Sequence, residues 1–153
     1  EASANGVRID LIVRGICTLR PGIVGVSDNI TVRSIVGRFL EHHRLFYFRN
    51  GGNEKIFLSS ADWMHRNLNE RVELMIPIED KRHKARIKGI LDLYLVDTLK
   101  AHLMRADGSY YKVSNIEGPL SAQEELMEAA NTQDSREQMT VIERFKPMFK
   151  MKE

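Results

Sequence analysis

The order of hydrophobic and polar positions predicts a chain built from short strands around one long helix. Residues 7–13 alternate and then become continuously apolar, which is typical of a strand that enters a buried sheet. Residues 45–48 and 55–58, which are apolar apart from Lys55, lie on either side of the glycine-rich sequence 50–53 and predict a β-hairpin. The proline, glycine and polar residues of 19–29 predict a loop.

Three further stretches complete the predicted strands. Residues 71–76 predict a strand that Pro77 should end, because proline donates no hydrogen bond to a neighbouring strand. Residues 30–40 fit either a short helix or a strand followed by a helix. Residues 100–104 and 110–113 predict two short strands.

Two helices are predicted in the second half of the chain. Residues 80–99 carry apolar side chains at three- and four-residue steps, which marks the buried face of the main helix. That face consists of Ile87, Ile90, Leu91, Tyr94 and Leu95. Ser121 and Glu124 form a capping box that opens a shorter helix ending at Ala130. Strands and helices together predict an α/β domain with a mixed sheet.

Length and composition predict one folded domain without a membrane span. The chain has 153 residues, of which 42% are hydrophobic and 29% charged. No apolar run reaches the roughly 20 residues that span a bilayer. Because the chain lacks an initiator Met and Gly6 resembles a helix stop, we expect a fragment of a longer protein. Residues 131–153 are expected to form a loosely ordered tail, and the single Cys17 favours a reducing compartment.

Charge is distributed unevenly along the chain, although the net charge is only +2. Residues 8–71 contain nine Arg and one Lys but only six carboxylates. Arginine binds phosphate oxygens in pairs through its planar fork, whereas lysine acts as a point charge. The stretch therefore favours an anionic ligand, and a solvated basic surface is the alternative explanation.

Two runs near the middle of the chain carry the clearest catalytic chemistry. Residues 41–44 read Glu-His-His-Arg and residues 59–64 read Ser-Ser-Ala-Asp-Trp-Met, on either side of the predicted hairpin. Imidazole can attack phosphorus or protonate a leaving oxygen, arginine neutralises phosphoryl charge, and hydroxyl groups hold the remaining oxygens. The two runs predict a pocket for an anionic phosphoryl group in transfer.

His42 is the preferred catalytic residue in these runs. His43 competes for the same role, because spacing alone does not choose between the two rings. Glu41 would orient the ring of His42 only if the two side chains converge, since adjacent strand residues face opposite ways. The supporting positions are Arg44, Ser59, Ser60 and Asp62. Helix or turn capping is the alternative explanation for the serines and the aspartate.

Arg14 is the preferred phosphate ligand. It ends the first apolar strand and precedes Gly15, at the edge where open α/β sheets bind ligands. The chain has no Walker-type loop and no dinucleotide fingerprint, and its histidines show no zinc-like spacing. A nucleotide would therefore be held by scattered arginines, and no metal site is predicted within the chain.

Taken together, these motifs resemble the carboxyl-terminal domain of bacterial polyphosphate kinase. The resembling segments are 13–17 (Val-Arg-Gly-Ile-Cys), 19–22 (Leu-Arg-Pro-Gly), 27–30 (Ser-Asp-Asn-Ile), 34–42 (Ser-Ile-Val-Gly-Arg-Phe-Leu-Glu-His), 50–52 (Asn-Gly-Gly) and 58–64 (Leu-Ser-Ser-Ala-Asp-Trp-Met). The resemblance is dense over residues 7–79 and looser as far as Lys100. It is specific, because several independent motifs occur in the right order.

The resemblance implies a single domain over residues 1–153, with a phospholipase D-like mixed sheet flanked by helices. This domain would be the second of two that share an active site. The family reversibly transfers the terminal phosphate of ATP to polyphosphate through a phosphohistidine, which the resemblance places in the missing preceding domain. His42 matches the family's second essential histidine, which contacts the nucleotide as an acid or partner in the transfer. Arg14 matches an arginine that grips the ATP phosphates.

The resemblance also implies cofactors and partners. ATP or ADP and inorganic polyphosphate would be the substrates, and the ligands of Mg²⁺ are expected outside this chain. The remaining domains of the same enzyme would be its protein partners, and homo-oligomerisation of the full-length protein stays open. No specific nucleic acid is expected. The expected location is cytoplasmic, with peripheral membrane association as an alternative, and the fragment alone is expected to lack kinase activity.

Two other functions remain open from the residues themselves. Residues 42–44 followed by residues 59–62 resemble the phospholipase D signature, so a phosphodiesterase acting as a dimer is one alternative. Arg44 and Asp62 depart from that signature, which has Lys and often Asn at these positions. The arginine surplus suggests a non-enzymatic module that binds polyanions as the other.

Overall fold

The structure is a computed structural model that describes residues 1–113 and 118–131. These residues form two sheets and divide into two compact units. The first unit contains Glu1–Leu40 and the described chain from Asp92, and the second contains Glu41–Leu91. Apart from Asn131, the predicted tail 131–153 lies outside the described residues.

The described elements agree with the predicted mixture of strands and helices. In chain order they are β1 (Ile9–Ile12), β2 (Ile30–Ile35), β3 (Arg44–Phe48), β4 (Lys55–Ser59), α1 (His65–Glu70), β5 (Met75–Ile78), α2 (Lys81–Val96), β6 (Ala101–Met104), β7 (Tyr110–Lys112) and α3 (Ala122–Asn131). None of the helices in these described ranges is long and apolar enough to cross a membrane.

A mixed four-stranded sheet in the order β1-β2-β6-β7 forms the first unit. Strands β1 and β2 are parallel, whereas β6 runs antiparallel to both β2 and β7. Val32, Ile35 and Ala101 are almost fully buried. The predicted stop at Gly6 is confirmed, because a short 3-10 turn over Ser3–Asn5 ends there with φ +82°.

The second unit contains the predicted hairpin and one additional strand. Its antiparallel sheet has the order β3-β4-β5, with Tyr47 opposite Ile56. Asn50, Gly51 and Gly52 all have positive φ, which explains why this connection needs asparagine and glycine. The predicted α/β fold with a mixed sheet is confirmed, and its strands divide between two sheets.

The helix predicted within residues 30–40 is wrong. Residues Ile30–Ile35 form strand β2, and the chain that follows is not helical. The buried side chain of Gln123 accepts a hydrogen bond from the Phe39 N–H at 2.9 Å and donates one to the Phe39 carbonyl at 2.8 Å. Because a distant side chain satisfies both backbone groups of Phe39, the segment needs no helical hydrogen bonds there.

The predicted strand 71–76 is displaced towards the C-terminus. Strand β5 covers Met75–Ile78 and includes Pro77, which lies opposite Phe57. Proline is tolerated because β5 is an edge strand, whose outward-facing backbone needs no partner. Before the strand, the backbone of Leu74 bonds to both the backbone and the hydroxyl group of Ser60.

The two predicted helices are confirmed. Helix α2 lies inside the predicted range 80–99, and Tyr94 on its predicted face is 3% exposed. Leu93 is also buried, although the predicted apolar face does not include it. Helix α3 begins after Ser121, whose hydroxyl group accepts a weak hydrogen bond from the Glu124 N–H at 3.4 Å.

A buried carboxylate joins the end of α2 to the next two elements of the first unit. Asp97 is fully buried, and its Oδ1 accepts hydrogen bonds from Lys100 N at 2.7 Å and Ala101 N at 2.9 Å. Its Oδ2 accepts one from Ala122 N at 2.8 Å, at the start of α3. The Asp97 carboxylate therefore fixes the start of β6 and the start of α3 at once.

We expect Asp97→Ala to lower the free energy of unfolding by about 3 kcal/mol or more, because it leaves three backbone N–H groups without their acceptor. Denaturant unfolding measures this change. Glu1→Gln is the control, since that residue is exposed on the same unit and should change stability by less than about 0.5 kcal/mol. A loss in Asp97→Ala as small as the control's would contradict the assignment.

Candidate functional site

The β3–β4 hairpin brings the two catalytic runs together. Arg44 at the start of β3 lies directly opposite Ser59 at the end of β4. Residues 41–43 therefore enter the hairpin at the same end where residues 60–64 leave it. Antiparallel pairing brings together runs that are 15 or more residues apart in sequence, which confirms the predicted hairpin as the scaffold of the candidate site.

The guanidinium group of Arg44 connects the two runs directly. Its Nε donates to Asp62 Oδ1 at 2.9 Å, and its Nη2 lies 2.8 Å from Nε2 of His42. Its Nη1 also donates to the His42 carbonyl at 3.2 Å. Three of the predicted site residues thus form one group, which we call the Arg44 cluster: His42, Arg44 and Asp62.

The Arg44 cluster is accessible at its imidazole end. His42 is exposed, whereas the side chain of Arg44 is 22% exposed and that of Asp62 is 38% exposed. An arginine offers five N–H hydrogens, and three of Arg44's are used within the cluster. In the described part of the chain the other two have no protein acceptor, so they can bind an anion.

His43 lies outside this cluster. Its Nδ1 is 3.3 Å from Glu41 Oε2, so the carboxylate considered as an orienting group for His42 contacts the neighbouring ring instead. The geometry joins His42, rather than His43, to the arginine. This agrees with the preference for His42, and its catalytic role stays a prediction.

The two predicted serines hold the turn that follows β4. Ser59 Oγ accepts a hydrogen bond from Ala61 N at 3.1 Å. Ser60 Oγ accepts one from Leu74 N at 2.9 Å and donates its hydrogen to Glu73 Oε2. Because Ser60 uses its only hydroxyl hydrogen on Glu73, Ser59 is better placed to donate to a ligand. Their supporting role at a phosphoryl group stays a prediction.

Glu73 is a residue of this region that the sequence did not indicate. Its carboxylate accepts hydrogen bonds from Ser60 and, at 3.0 Å, from Asn67 Nδ2. These hydrogen bonds, that of Ser60 first, lower the pKa of Glu73 below its ordinary value of 4.5. Asn67 is only 3% exposed. The sequence did not indicate this role, because residues 71–76 were predicted to be a strand. In a strand, Glu73 would be expected to pair through its backbone and not through its side chain.

Arg14 lies in the first unit, just beyond the end of β1. Val13 N donates to Arg33 O at 2.8 Å, and the Arg14 carbonyl accepts a hydrogen bond from Ser34 Oγ at 3.2 Å. The Arg14 side chain is exposed at the carboxyl end of two parallel strands, where the sequence predicted it. Its convergence with His42, which belongs to the second unit, stays a prediction.

The described residues do not form a magnesium site by themselves. They contain no group of three or more His, Cys, Asp or Glu side chains that could hold a metal ion. Asp62 bonds to Arg44, and Glu73 bonds to Ser60 and Asn67. Glu41, the third carboxylate next to the candidate site, contacts His43, so each of the three has a protein partner.

Comparison with known proteins identifies the family. The model of the polyphosphate kinase C-terminal domain 2 family matches residues 1–123, and the chain belongs to this family. The match extends beyond Lys100, the last residue to which the resemblance in the sequence was carried.

Relatives and one solved structure agree with this assignment. A polyphosphate kinase of Pseudomonas aeruginosa is 56% identical over 130 residues, which are 84% of this chain and 19% of that protein. One of Bacillus anthracis is 58% identical over 115 residues, which are 75% of this chain and 16% of that protein. The crystal structure of polyphosphate kinase from Porphyromonas gingivalis matches 91% of this chain and 21% of its own, with 39% identity and a TM-score of 0.82. The predicted fold class is thereby confirmed.

The chain spans about a fifth or less of the length of the curated relatives that it matches. The activity, substrates and partners of those whole proteins therefore enter below as proposals.

Glu73 should make the stability of the chain sensitive to acid. Because its folded-state pKa is lowered, its contribution is fully present above pH 4.5 and is lost as the pH falls through the folded-state pKa. Glu73→Gln should therefore flatten the fall in unfolding free energy below pH 4.5, measured by denaturant unfolding at successive pH values. Glu70→Gln, which alters an exposed carboxylate in the same unit, should retain the wild-type slope. If the unfolding free energies of wild type and Glu73→Gln fell equally steeply below pH 4.5, the assigned hydrogen bonds of Glu73 would be contradicted.

Proposed function

We propose that this chain supplies half of the active site of a polyphosphate kinase, which reversibly transfers the terminal phosphate of ATP to polyphosphate. The observation that carries the proposal is the Arg44 cluster, where an exposed imidazole lies 2.8 Å from a guanidinium nitrogen. The names of the relatives, all polyphosphate kinases, support the reaction.

The chemistry of the cluster suits an anionic phosphoryl group. Arg44 keeps two N–H hydrogens for phosphate oxygens, and the hydrogen bond from its Nε to Asp62 orients the guanidinium group. Phosphoryl transfer needs positioned positive charge more than covalent chemistry, because charge spreads over the equatorial oxygens in the transition state. In this proposal His42 contacts the transferred group, Arg44 and Arg14 bind phosphate oxygens, and Ser59 donates a further hydrogen bond.

The remainder of the active site belongs to other parts of the polypeptide. We propose that the histidine that carries the phosphate lies in the preceding domain and that the ligands of Mg²⁺ lie outside this chain. Magnesium would neutralise phosphate charge when it is bound there. The chain alone should then bind polyphosphate or ATP weakly and should not transfer phosphate. The cytoplasmic location stays a prediction.

The proposal is tested in a full-length relative whose corresponding segment is replaced by residues 1–131 of this chain, so that helix α3 stays complete. Pseudomonas aeruginosa polyphosphate kinase is suitable, since it is 56% identical to this chain in the matching segment. Formation of polyphosphate from ATP should fall by about 10²-fold or more in His42→Ala and in Arg14→Ala, because each removes a group that binds transition-state charge.

Arg8→Ala is the matched control, because Arg8 is an exposed arginine of the first unit that pairs with Asp10 at 3.0 Å. It should leave the rate within about twofold of wild type. If Arg14→Ala and Arg8→Ala had equal, small effects, the diffuse polyanion-binding function would be favoured instead. Turnover of a phosphodiester by a dimer of the isolated chain would favour the phosphodiesterase.

A further inference from the structure

The contact between Arg44 and His42 determines which nitrogen of the ring carries hydrogen. Arg44 Nη2 lies 2.8 Å from His42 Nε2, and a guanidinium group has hydrogens to donate but no acceptor. Nε2 must therefore be the acceptor and carry the lone pair. In this arrangement the ring is neutral, with its hydrogen on Nδ1.

Arg44 is itself held in place by two further hydrogen bonds. Asp62 accepts from Nε at 2.9 Å, and the His42 carbonyl accepts from Nη1 at 3.2 Å. The Arg44 side chain is also largely buried, and its backbone is fixed by the pairing of Arg44 with Ser59 in the hairpin. A guanidinium group with two anchors loses little further freedom when it donates to Nε2.

We propose that Arg44, oriented by Asp62, is a positioning residue that fixes His42 in the Nδ1–H tautomer. The neutral ring then presents Nδ1–H to a phosphoryl oxygen as a hydrogen-bond donor, while Nε2 stays bonded to Arg44. The identity of this ligand rests on the proposed function, whereas the tautomer rests on the contact alone. His42 would thus stabilise charge without transferring a proton, unlike the general acid considered from the sequence.

In this arrangement the charge of Arg44 strengthens the hydrogen-bond donor at Nδ1 of the His42 ring. Donation from Arg44 to Nε2 draws electron density from the imidazole, so Nδ1–H becomes a stronger donor. A neutral imidazole that donates one hydrogen bond needs no protonation to act on an anion. The two unused hydrogens of Arg44 stay available for another anionic oxygen.

The tautomer can be measured directly by long-range ¹H–¹⁵N correlation of the histidine ring nitrogens in this chain. A neutral histidine in water without a partner favours the Nε2–H form, so the expected result is an inversion of that preference at His42. Its signals are assigned with His42→Asn, and His43→Asn serves as the control that should leave them unchanged.

Variants of the two positioning residues test the cause. Arg44→Met removes the donor and should shift the tautomer ratio towards Nε2–H by roughly tenfold, the worth of one hydrogen bond to a charged group. Asp62→Asn should shift it in the same direction by a smaller factor, and Arg66→Gln, an exposed arginine of the same unit, should not shift it. Backbone amide shifts of β3 and β4 establish that each variant keeps the hairpin. A wild-type ring in the Nε2–H form, or an unchanged ratio in Arg44→Met, would overturn the proposal.

Activity of the domain-replaced kinase separates this proposal from the proposed function. The amide nitrogen of asparagine occupies the place of Nδ1, and that of glutamine occupies the place of Nε2. His42→Asn should therefore retain about tenfold more activity than His42→Gln. An equal loss of activity in both variants would contradict the role of Nδ1–H as donor, but it would agree with the placement of His42 in the active site. Full activity in His42→Ala would refute the proposed function and leave the measured tautomer standing.

Discussion

The pairing of Arg44 with Ser59 in the β3–β4 hairpin is the constraint on which the candidate site depends. Because side chains alternate along a strand, a slip of one residue would turn Arg44 to the opposite face of the sheet. The turn at Asn50–Gly52 protects the register, since its backbone has positive φ at three successive residues. The geometry of the Arg44 cluster thus follows from a turn at the far end of the same hairpin.

The first unit is organised by side chains that replace backbone partners. The Asp97 carboxylate accepts hydrogen bonds from backbone N–H groups at the start of β6 and at the start of α3. The Gln123 side chain bonds to the backbone N–H of Phe39. Burial lowers the pKa of Arg33, and the nearby charge of Asp97 opposes that lowering. Such buried polar groups are stable only with their full set of partners, so they specify how the segments that follow β2 and α2 are held.

Local patterns in the sequence were sufficient for most elements of the fold. The hairpin, helix α2, helix α3 and strand β1 follow from periodicity, glycine and capping residues, which act over a few positions. The failures occurred where a distant partner decides the structure. Gln123 removes the helix predicted near Phe39, and the edge position of β5 admits Pro77. No spacing rule contains that information.

The site was predictable as a set of residues but not as a geometry. Spacing around the hairpin was enough to bring His42, Arg44 and Asp62 together, whereas it left His42 and His43 equivalent. The structure distinguishes the two rings through their partners, an arginine for one and Glu41 for the other. Glu73 was missed because its role depends on Ser60 and Asn67, which approach it only after folding.

In the proposed function His42 and Arg14 act on one phosphoryl group, and the decisive measurement is a crystal structure of the domain-replaced kinase with a non-hydrolysable ATP analogue. We expect phosphate oxygens of the analogue within hydrogen-bond distance of the Arg14 guanidinium group and of His42 Nδ1. An analogue whose phosphates contact neither residue would contradict it.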